Sequence, residues 1–374
     1  MTLIELDSGR KILIDVNIRQ PGEGIPDVAV DLRDRLKADE KGRPYVDVMV
    51  LSHPDQDHCR GLEEHFHLGP LDDYSDNATP KKIIIREMWS SPLIFRRSNA
   101  KNHKLCEDAK AWNSEARRRV KQFRELGVGA DGNRILVLSE DKDGKTDDLT
   151  DILVRTGETI THVAGHFERN LSAFLLAPML SSDDEEEEVL SKNESSVVMN
   201  YSIGVGVEQD AVRFLSGGDA EVAIWEKLWG RHKEDVTPLL YDLLSTPHHC
   251  SWHSLSYDSW SEKRRKALVS EDARNALSQA RAGAYIVASS QVIKDDDNDP
   301  PCIRAKEEYV DIVKAENIKG EFFNTGSYPS EAKQEALTFE VTEGGPAKPT
   351  KKEAKLAATA AGVQTFSSQP LTHG

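Results

Sequence analysis

The hydrophobic positions of the chain fall into short continuous runs, which alternate with polar segments whose apolar residues recur at helical spacing. The runs at 2–6 and 11–18 are separated by the turn sequence DSGR and predict a hairpin. Further strands are expected at 46–51, 81–89, 171–178, 195–204, 211–219, 239–247, 284–290, 320–326 and 336–343. Helices are expected at 27–39, 61–69, 101–126, 260–282 and 302–317. Strands in two batches with helices between them favour an α/β layered domain with two sheets.

The composition is that of a globular protein with a substantial core, since 38% of the 374 residues are hydrophobic and 30% are charged. Residues 1–341 carry the strand and helix patterns and are predicted to form one domain, with an insertion at about 100–150 and an acidic loop at 181–194. Residues 342–374 contain few large apolar side chains and predict a disordered low-complexity tail.

Several features of the sequence favour a cytoplasmic protein without a membrane segment. No apolar run approaches the roughly 20 residues that span a bilayer, and the N-terminus lacks the basic and apolar regions of a signal peptide. The four cysteines are scattered and form no CxxC pair, which is typical of free thiols in a reducing compartment.

The net charge of −16 argues against a surface that attracts nucleic acid in general. Two clusters, at 116–124 and 263–266, are nevertheless locally basic. The usual interpretation of such a cluster is a solvated helix face. The alternative is a rim that tracks the phosphates of a substrate.

The candidate chemistry begins directly after the predicted strand at 46–51. His53, Asp55, Asp57 and His58 lie within six positions, and imidazole nitrogen and carboxylate oxygen are the usual ligands of divalent zinc, manganese or iron. In the alternative interpretation Asp57 caps a helix and the histidines are ordinary surface residues. Four ligand-type residues at this density favour a metal site.

Two later strands end on residues of the same kind. Asp219 follows a pair of glycines, which allow its backbone to approach a cation closely, and His248 and His249 follow the predicted strand at 239–247. Taken alone, the first segment is also typical of a turn and the second of a packed corner. In this order, the three segments predict a dinuclear metal site built from strand ends.

These segments resemble the metallo-β-lactamase-fold hydrolases, and among them the hydrolase domain of the ComEC DNA-uptake proteins and its soluble relatives. HPDQDH at 53–58 is similar to the HPDxDH variant of that branch, SGGDAE at 216–221 to its GDAE segment, and TPHHCSWHS at 246–254 to its PHHGS segment. The resemblance covers residues 1–341. It implies an αββα sandwich, in which two mixed β-sheets pack together and carry helices on their outer faces.

The resemblance also implies a set of site residues and two divalent metal ions, zinc or manganese. The implied metal ligands are His53, Asp55, Asp57, His58, Asp219 and His248 or His249. Asp219 would bridge the two ions, and Asp57 would orient the attacking hydroxide as well as bind metal. Because Asp55 stands where the family prototype has histidine, oxygen-loving ions such as manganese are favoured. Ser251 and Ser254 are expected to contact substrate or to hold the loop.

Two departures from the family pattern affect this ligand set. The prototype has a further histidine on a middle strand, where this chain offers Asn193, Glu194, Ser195 and Ser196. One metal position is therefore expected to bind weakly or to be completed by water. Cys250 stands where the branch normally has glycine, and either packing or thiolate ligation would explain it.

The function implied by the branch is a metal-dependent phosphodiesterase or nuclease that acts through a metal-bound hydroxide, so its partner would be a phosphodiester substrate, including nucleic acid. The acidic composition favours an alternative, a hydrolase of small esters, lactones, lactams or thioesters. A second alternative is a subunit of a multi-protein assembly that uses the fold to bind a protein partner. Fold resemblance alone does not decide the substrate.

Overall fold

A computed structural model describes residues 1–22, 26–181, 187 and 190–349 of the chain. Residues 182–186 and 188–189 of the predicted acidic loop, and 350–374 of the predicted tail, lie outside the described residues. The strands are β1 (Thr2–Glu5), β2 (Lys11–Ile14), β3 (Val16–Asn17), β4 (Lys37–Ala38), β5 (Pro44–Val50), β6 (Phe66–His67), β7 (Ile83–Ser90), β8 (Arg134–Leu138), β9 (Leu153–Val154), β10 (Thr159–Ile160), β11 (His162–Val163), β12 (His166–Phe167), β13 (Leu171–Ala177), β14 (Val198–Val205), β15 (Glu208–Ser216), β16 (Tyr241–Ser245), β17 (Ala280–Ala288), β18 (Glu321–Asn324), β19 (Pro329–Ser330), β20 (Lys333–Gln334), β21 (Val341–Thr342) and β22 (Gly345–Pro346). The α-helices are α1 (Val28–Arg35), α2 (Gln56–Cys59), α3 (Leu62–His65), α4 (Pro92–Ala100), α5 (Glu107–Leu126), α6 (Val222–His232), α7 (Trp260–Lys263), α8 (Glu271–Leu277) and α9 (Ile303–Lys314).

Two large mixed sheets contain most of the strands. The first sheet has the order β1-β2-β5-β7-β8-β9, with β4 beside β5 and β6 beside β7, and the predicted hairpin β1–β2 is confirmed. The second sheet has the order β10-β13-β14-β15-β16-β17-β18. In the first sheet the strands from β2 to β9 along this order run parallel, and in the second sheet those from β15 to β18 do so.

Three apolar clusters define the layers of the fold. One cluster joins the two sheets face to face and includes Val48 and Trp89 from the first sheet and Met199 and Tyr201 from the second. The other two clusters lie on the outer faces of the sheets. Because strand side chains alternate between faces, Met49 points away from Val48, toward the helices.

Helices cover both outer faces. Leu62 of α3 and Trp112 of α5 belong to the cluster on the first sheet. Trp225 of α6, Leu277 of α8 and Tyr309 of α9 belong to the cluster on the second sheet. The layers therefore follow in the order helices, sheet, sheet, helices, and the predicted α/β architecture with two mixed sheets is confirmed at this level.

The structure corrects two of the predicted helices. The helix predicted at 260–282 is divided into α7 and α8, and its last residues belong to β17 because they pair with β16. The helix predicted at 61–69 ends at His65, and the next two residues form β6 beside β7. Long-range pairing overrode local helical spacing at both places.

Two segments that were expected to be peripheral are built into the fold. The segment at about 100–150 contributes α5, which packs on the first sheet, and β8, which pairs with β7, so it is an integral part of the layers. At the other end of the domain β21 and β22 form a hairpin. The first residues of the predicted tail at 342–374 are therefore paired strands rather than disordered chain.

Both basic clusters contain arginines that pair with carboxylates of the same chain. Arg119 in the cluster at 116–124 is 1% exposed, bonds Glu115 at 2.7 Å, and donates to backbone carbonyls of the first sheet. In the cluster at 263–266, Arg264 pairs with Asp297 and Arg265 with Glu307. These pairs leave little support for a rim that tracks phosphates.

No helix of the described residues is long and apolar enough to cross a membrane.

Candidate metal centre

The residues predicted to bind metal lie where parallel strands of both sheets end. β2 runs parallel to β5 in the first sheet, and β15 runs parallel to β16 in the second, so the loops that follow them emerge at one edge of each sheet. A hydrogen bond joins the two edges, because the Val197 amide, just before β14, donates to the Ser52 carbonyl, just after β5, at 2.9 Å. Within the second sheet, the His248 amide donates to the Gly218 carbonyl at 2.8 Å and links the loops after β15 and β16.

Residues 51–55 connect the end of β5 to the single helical turn α2. The His58 amide donates to the Asp55 carbonyl at 3.0 Å, which places Asp57 and His58 side by side at the end of the strand. Gly218 shapes the loop after β15. It has a φ of 50°, and a Cβ there would lie 3.1 Å from both the Ser196 Cβ and the Val197 carbonyl oxygen. Glycine therefore allows the loop that carries Asp219 to pack closely against the segment before β14.

The loop after β16 holds two histidines in an unusual backbone conformation. His248, His249 and Cys250 have positive φ values of 48°, 53° and 71°. Residues other than glycine seldom adopt this left-handed region, and three in succession are costly. Such outliers cluster at functional sites, and here they aim two consecutive imidazoles at Asp219. His248 Nε2 and His249 Nε2 lie 3.9 and 3.8 Å from the two oxygens of that carboxylate.

We call Asp57, His58 and His249 the first half-site. His58 Nε2 lies 3.2 Å from His249 Nε2, and His249 Nε2 lies 3.0 Å from Asp57 Oδ2. One ligand atom from each of the three residues falls within 4.8 Å of the other two. Asp219 joins this group, because its Oδ1 lies 2.9 Å from His58 Nε2.

The far side of each imidazole in the first half-site is fixed by an acceptor. His58 Nδ1 donates to Asp15 Oδ2 at 2.8 Å, and His249 Nδ1 donates to the Ser289 carbonyl at 2.9 Å. Asp15 is itself held by the amide and hydroxyl of Ser52. Both Nε2 atoms therefore point into the centre. Carboxylates and carbonyls that orient imidazoles in this way are typical of metal sites.

The electrostatics of the first half-site require positive charge. Burial alone would lower the pKa of His58, but the charges of Asp219 and Asp15 hold this pKa well above its ordinary value. Burial also opposes protonation of His249, while its hydrogen bond to Asp57 raises the pKa. Although burial alone would raise the pKa of Asp57, the bond from His249 and the charge of His58 lower it to about 2. Protons on the imidazoles or a bound cation must therefore compensate the negative charge of these carboxylates.

We call His53, Asp55 and His248 the second half-site. His53 is completely buried, and its Nε2 lies 3.3 Å from Asp55 Oδ2 and 3.9 Å from Asp219 Oδ2. That nitrogen has no hydrogen-bond partner among the described residues, which is unusual for a buried polar atom. Burial lowers the pKa of His248, so its imidazole is neutral near pH 7.

The segment before β14 reaches the second half-site. Ser196 Oγ lies 3.2 Å from His53 Nδ1 and accepts a hydrogen bond from the Asp219 amide. The Lys192 ammonium donates to Asp55 Oδ2. Burial alone would raise the pKa of Asp55, but the nearby His53 imidazole and the hydrogen bond and charge of Lys192 hold this pKa below its ordinary value. The place where a further histidine was expected is thus taken by a hydroxyl and an ammonium.

The structure brings every predicted ligand into one group, but it moves the two predicted serines away from it. Ser251 and Ser254 are completely buried; Ser251 donates to Asp299, and Ser254 donates to the Pro247 carbonyl. Buried hydroxyls that already donate inside the protein hold the loop, so the expectation that they contact substrate is corrected. Burial also raises the pKa of Cys250 well above its ordinary value, which favours packing over ligation.

Four further residues belong to the centre but were not predicted as site residues. Asp15 follows β2 and could have been found from the ILIDVN run that ends this parallel strand. Glu221 lies in the GDAE segment, and its Oε1 is 3.6 Å from His248 Nδ1. Lys192 and the Ser289 carbonyl gave no signal in the sequence, because only the folded chain brings them to their partners.

No protein-family model, curated protein or solved structure matches the chain. The geometry of the centre and the motifs of the sequence therefore carry the functional argument.

Proposed function

We propose that the protein is a metal-dependent hydrolase of the metallo-β-lactamase type, with phosphodiesters as the favoured substrate class. One observation carries the proposal. Two imidazole Nε2 atoms, each oriented by an acceptor on its far side, lie 3.2 Å apart beside the carboxylates of Asp57 and Asp219. The αββα layer order and the HPDQDH, GDAE and PHH segments support the same family.

The donor set of the first half-site fits a divalent ion. Asp57, His58, His249 and Asp219 supply two nitrogens and two carboxylate oxygens, a set that suits zinc as well as manganese. The second half-site offers His53, Asp55, His248 and the other oxygen of Asp219. The orphaned Nε2 of His53 fits a cation there, although Lys192 already neutralises Asp55.

Bound cations would supply Lewis acidity, which lowers the pKa of a water and polarises the oxygen of a substrate. The chain's own residues would position the reactants. Asp57 has a low pKa and is 43% exposed, so it is ionised at neutral pH and can accept a hydrogen bond from an incoming water. His248 is neutral near pH 7, so the lone pair of its Nε2 is available to a cation in the second half-site.

A cleft of about 440 Å³ beside Asp55 offers space for a substrate. Its lining includes Lys104, the carboxylate of Asp55, and Glu107 at the start of α5. Lys104 places one positive charge beside these carboxylates, where it can contact an anionic substrate. The ion pairs of the basic clusters favour the second candidate, a hydrolase of small esters, lactones or thioesters, over a binder of long nucleic acid.

The test is a substrate comparison on metal-loaded protein. After chelation and reconstitution with manganese or zinc, the protein is assayed with bis-p-nitrophenyl phosphate, single-stranded DNA, duplex DNA, RNA and p-nitrophenyl acetate. We expect diester hydrolysis that is lost with chelator and in Asp57→Asn. Hydrolysis of the acetate alone would favour the small-ester candidate. Failure to bind either metal would refute both.

A further inference from the structure

Lys192 lies at a position that a second cation would need. Its ammonium contacts Asp55 Oδ2, and the same oxygen lies 3.3 Å from the orphaned Nε2 of His53. The Lys192 side chain is only 19% exposed, so it is directed into the protein rather than into solvent.

The backbone that carries Lys192 is fixed on both sides. Ser191 donates through its amide and its hydroxyl to Glu194, and Asn193 donates to Glu221 at 2.6 Å. Ser196, at the end of the same turn, contacts His53 and the Asp219 amide. The lysine is therefore anchored to the centre through its neighbours and not only through its own ion pair.

The two half-sites differ in how their carboxylates are neutralised. Asp57 and Asp219 in the first half-site are paired with histidines, which lose their protons when a metal binds. Asp55 in the second half-site is paired with a lysine. An ammonium has no lone pair to offer and repels a divalent ion at this distance, so a metal can use Asp55 fully only after Lys192 has left it.

We propose that Lys192 is a built-in cation that takes the place of a second metal, so that each chain binds one divalent ion tightly, at the first half-site. The ammonium then supplies the second positive charge of the centre. This inference rests on the proposed metal-binding function and specifies how many ions that function uses.

The experiment is metal counting and titration with Mn²⁺ on chelator-treated protein, by isothermal titration calorimetry and by elemental analysis after dialysis. Lys192→Met removes the charge and keeps most of the side-chain volume. Lys104→Met is the matched control, because Lys104 lines the cleft beside Asp55 and its removal changes the net charge equally. We expect one tight equivalent for the wild type and for Lys104→Met, and a second binding step in Lys192→Met.

The outcomes separate this inference from the proposed function. Two tight equivalents in the wild type, or one equivalent in folded Lys192→Met, would overturn the role of Lys192 and leave a metal-dependent hydrolase standing. A wild type that binds no Mn²⁺ would overturn the role of Lys192 and remove this support for the proposed function. The wild-type count decides between these cases even if the variant fails to fold, and circular dichroism checks its fold.

Discussion

The two half-sites of the centre use the same side-chain chemistry, yet their geometry differs. Each combines two histidines with an aspartate, and both share Asp219. In the first half-site the far nitrogens of both imidazoles donate to Asp15 and to the Ser289 carbonyl. In the second half-site His53 Nδ1 faces only the hydroxyl of Ser196, and His248 Nδ1 has no hydrogen-bond partner among the described residues.

From this difference we infer that the types of ligand do not by themselves decide how tightly a site binds metal. An anionic or carbonyl acceptor behind an imidazole fixes its tautomer, aims the other nitrogen and raises its basicity. A hydroxyl can donate as well as accept, so it fixes the tautomer of His53 less firmly. We therefore expect strong binding where both imidazoles are oriented and weak binding where a lysine also competes.

The largest expected effect comes from exchanging one carboxylate in each half-site. Asp57→Asn should weaken the tight metal-binding step by about 100-fold or more, because even changes in the partners behind a ligand cost 10- to 100-fold. Asp55→Asn should leave this step nearly unchanged, since Asp55 belongs to the other half-site. Calorimetric titration of both variants with Mn²⁺ measures the contrast.

The folding stability of Asp57→Asn serves as the control. Asp57 is 43% exposed, so loss of its pair with His249 should cost about 1 kcal/mol or less in the metal-free protein. Denaturant unfolding in the presence of chelator measures this cost. Equal losses of metal affinity in Asp57→Asn and Asp55→Asn would show that the two half-sites are equivalent.

A smaller effect is expected from Asp15→Asn, which changes the residue behind His58. An amide orients the imidazole less strongly than a carboxylate, so metal affinity should fall by about 10- to 100-fold. Asp15 does not touch the metal position itself, which makes it a positioning residue. The titration is best done at pH 8, where competition from protons is weaker. A variant with wild-type affinity at that pH would mean that Asp15 serves folding alone.

The parallel strands explain how much of the centre could be predicted. Each of the three ligand segments follows an apolar run. These runs form β5 in the first sheet and the neighbouring parallel strands β15 and β16 in the second, and the loops after them meet at the centre. Predictions from local patterns failed where a residue's structure or contacts depend on partners that are distant in the sequence. Residues 280–282 were assigned to a helix but begin β17, which pairs with β16. Lys192 contacts Asp55 across 137 positions of sequence. The motif left two roles open for Ser251, and only the folded chain shows that its hydroxyl is buried and donates to Asp299.

The pH dependence of metal binding follows from the raised pKa values of His58 and His249. A raised pKa means that the metal-free imidazole keeps its proton to a higher pH than a free histidine does, and a metal must displace that proton. Affinity should therefore rise with pH by about tenfold per unit for each proton released, and level off above the raised pKa values. The same protons stabilise the metal-free fold at low pH, and this contribution is lost as the pH rises through those values.

Calorimetry near pH 7 in buffers of different ionisation enthalpy counts the protons released when Mn²⁺ binds. Asp55→Asn is the matched control, because it leaves both imidazoles of the first half-site in place and should release the same number. Binding without proton release near pH 7 would contradict the raised pKa values and the assignment of the first half-site as the tight one.

The smallest expected effect on metal affinity comes from Ser196→Ala, which loosens only the second half-site. Ser196 is buried, faces His53 Nδ1 and accepts from the Asp219 amide, whereas the neighbouring Ser195 is equally buried and bonds Ser191 and Arg97 instead. Each serine-to-alanine change should lower the free energy of unfolding by about 1 kcal/mol, the usual contribution of a buried hydrogen bond. Only Ser196→Ala should shift the imidazole NMR signals of His53, because only that hydroxyl restrains its ring. Both variants should keep the affinity of the first half-site, as measured by Mn²⁺ titration. If Ser196→Ala weakened tight Mn²⁺ binding as much as Asp15→Asn does, the hydroxyl would orient its imidazole as firmly as a carboxylate. The difference between the half-sites would then depend on Lys192 alone.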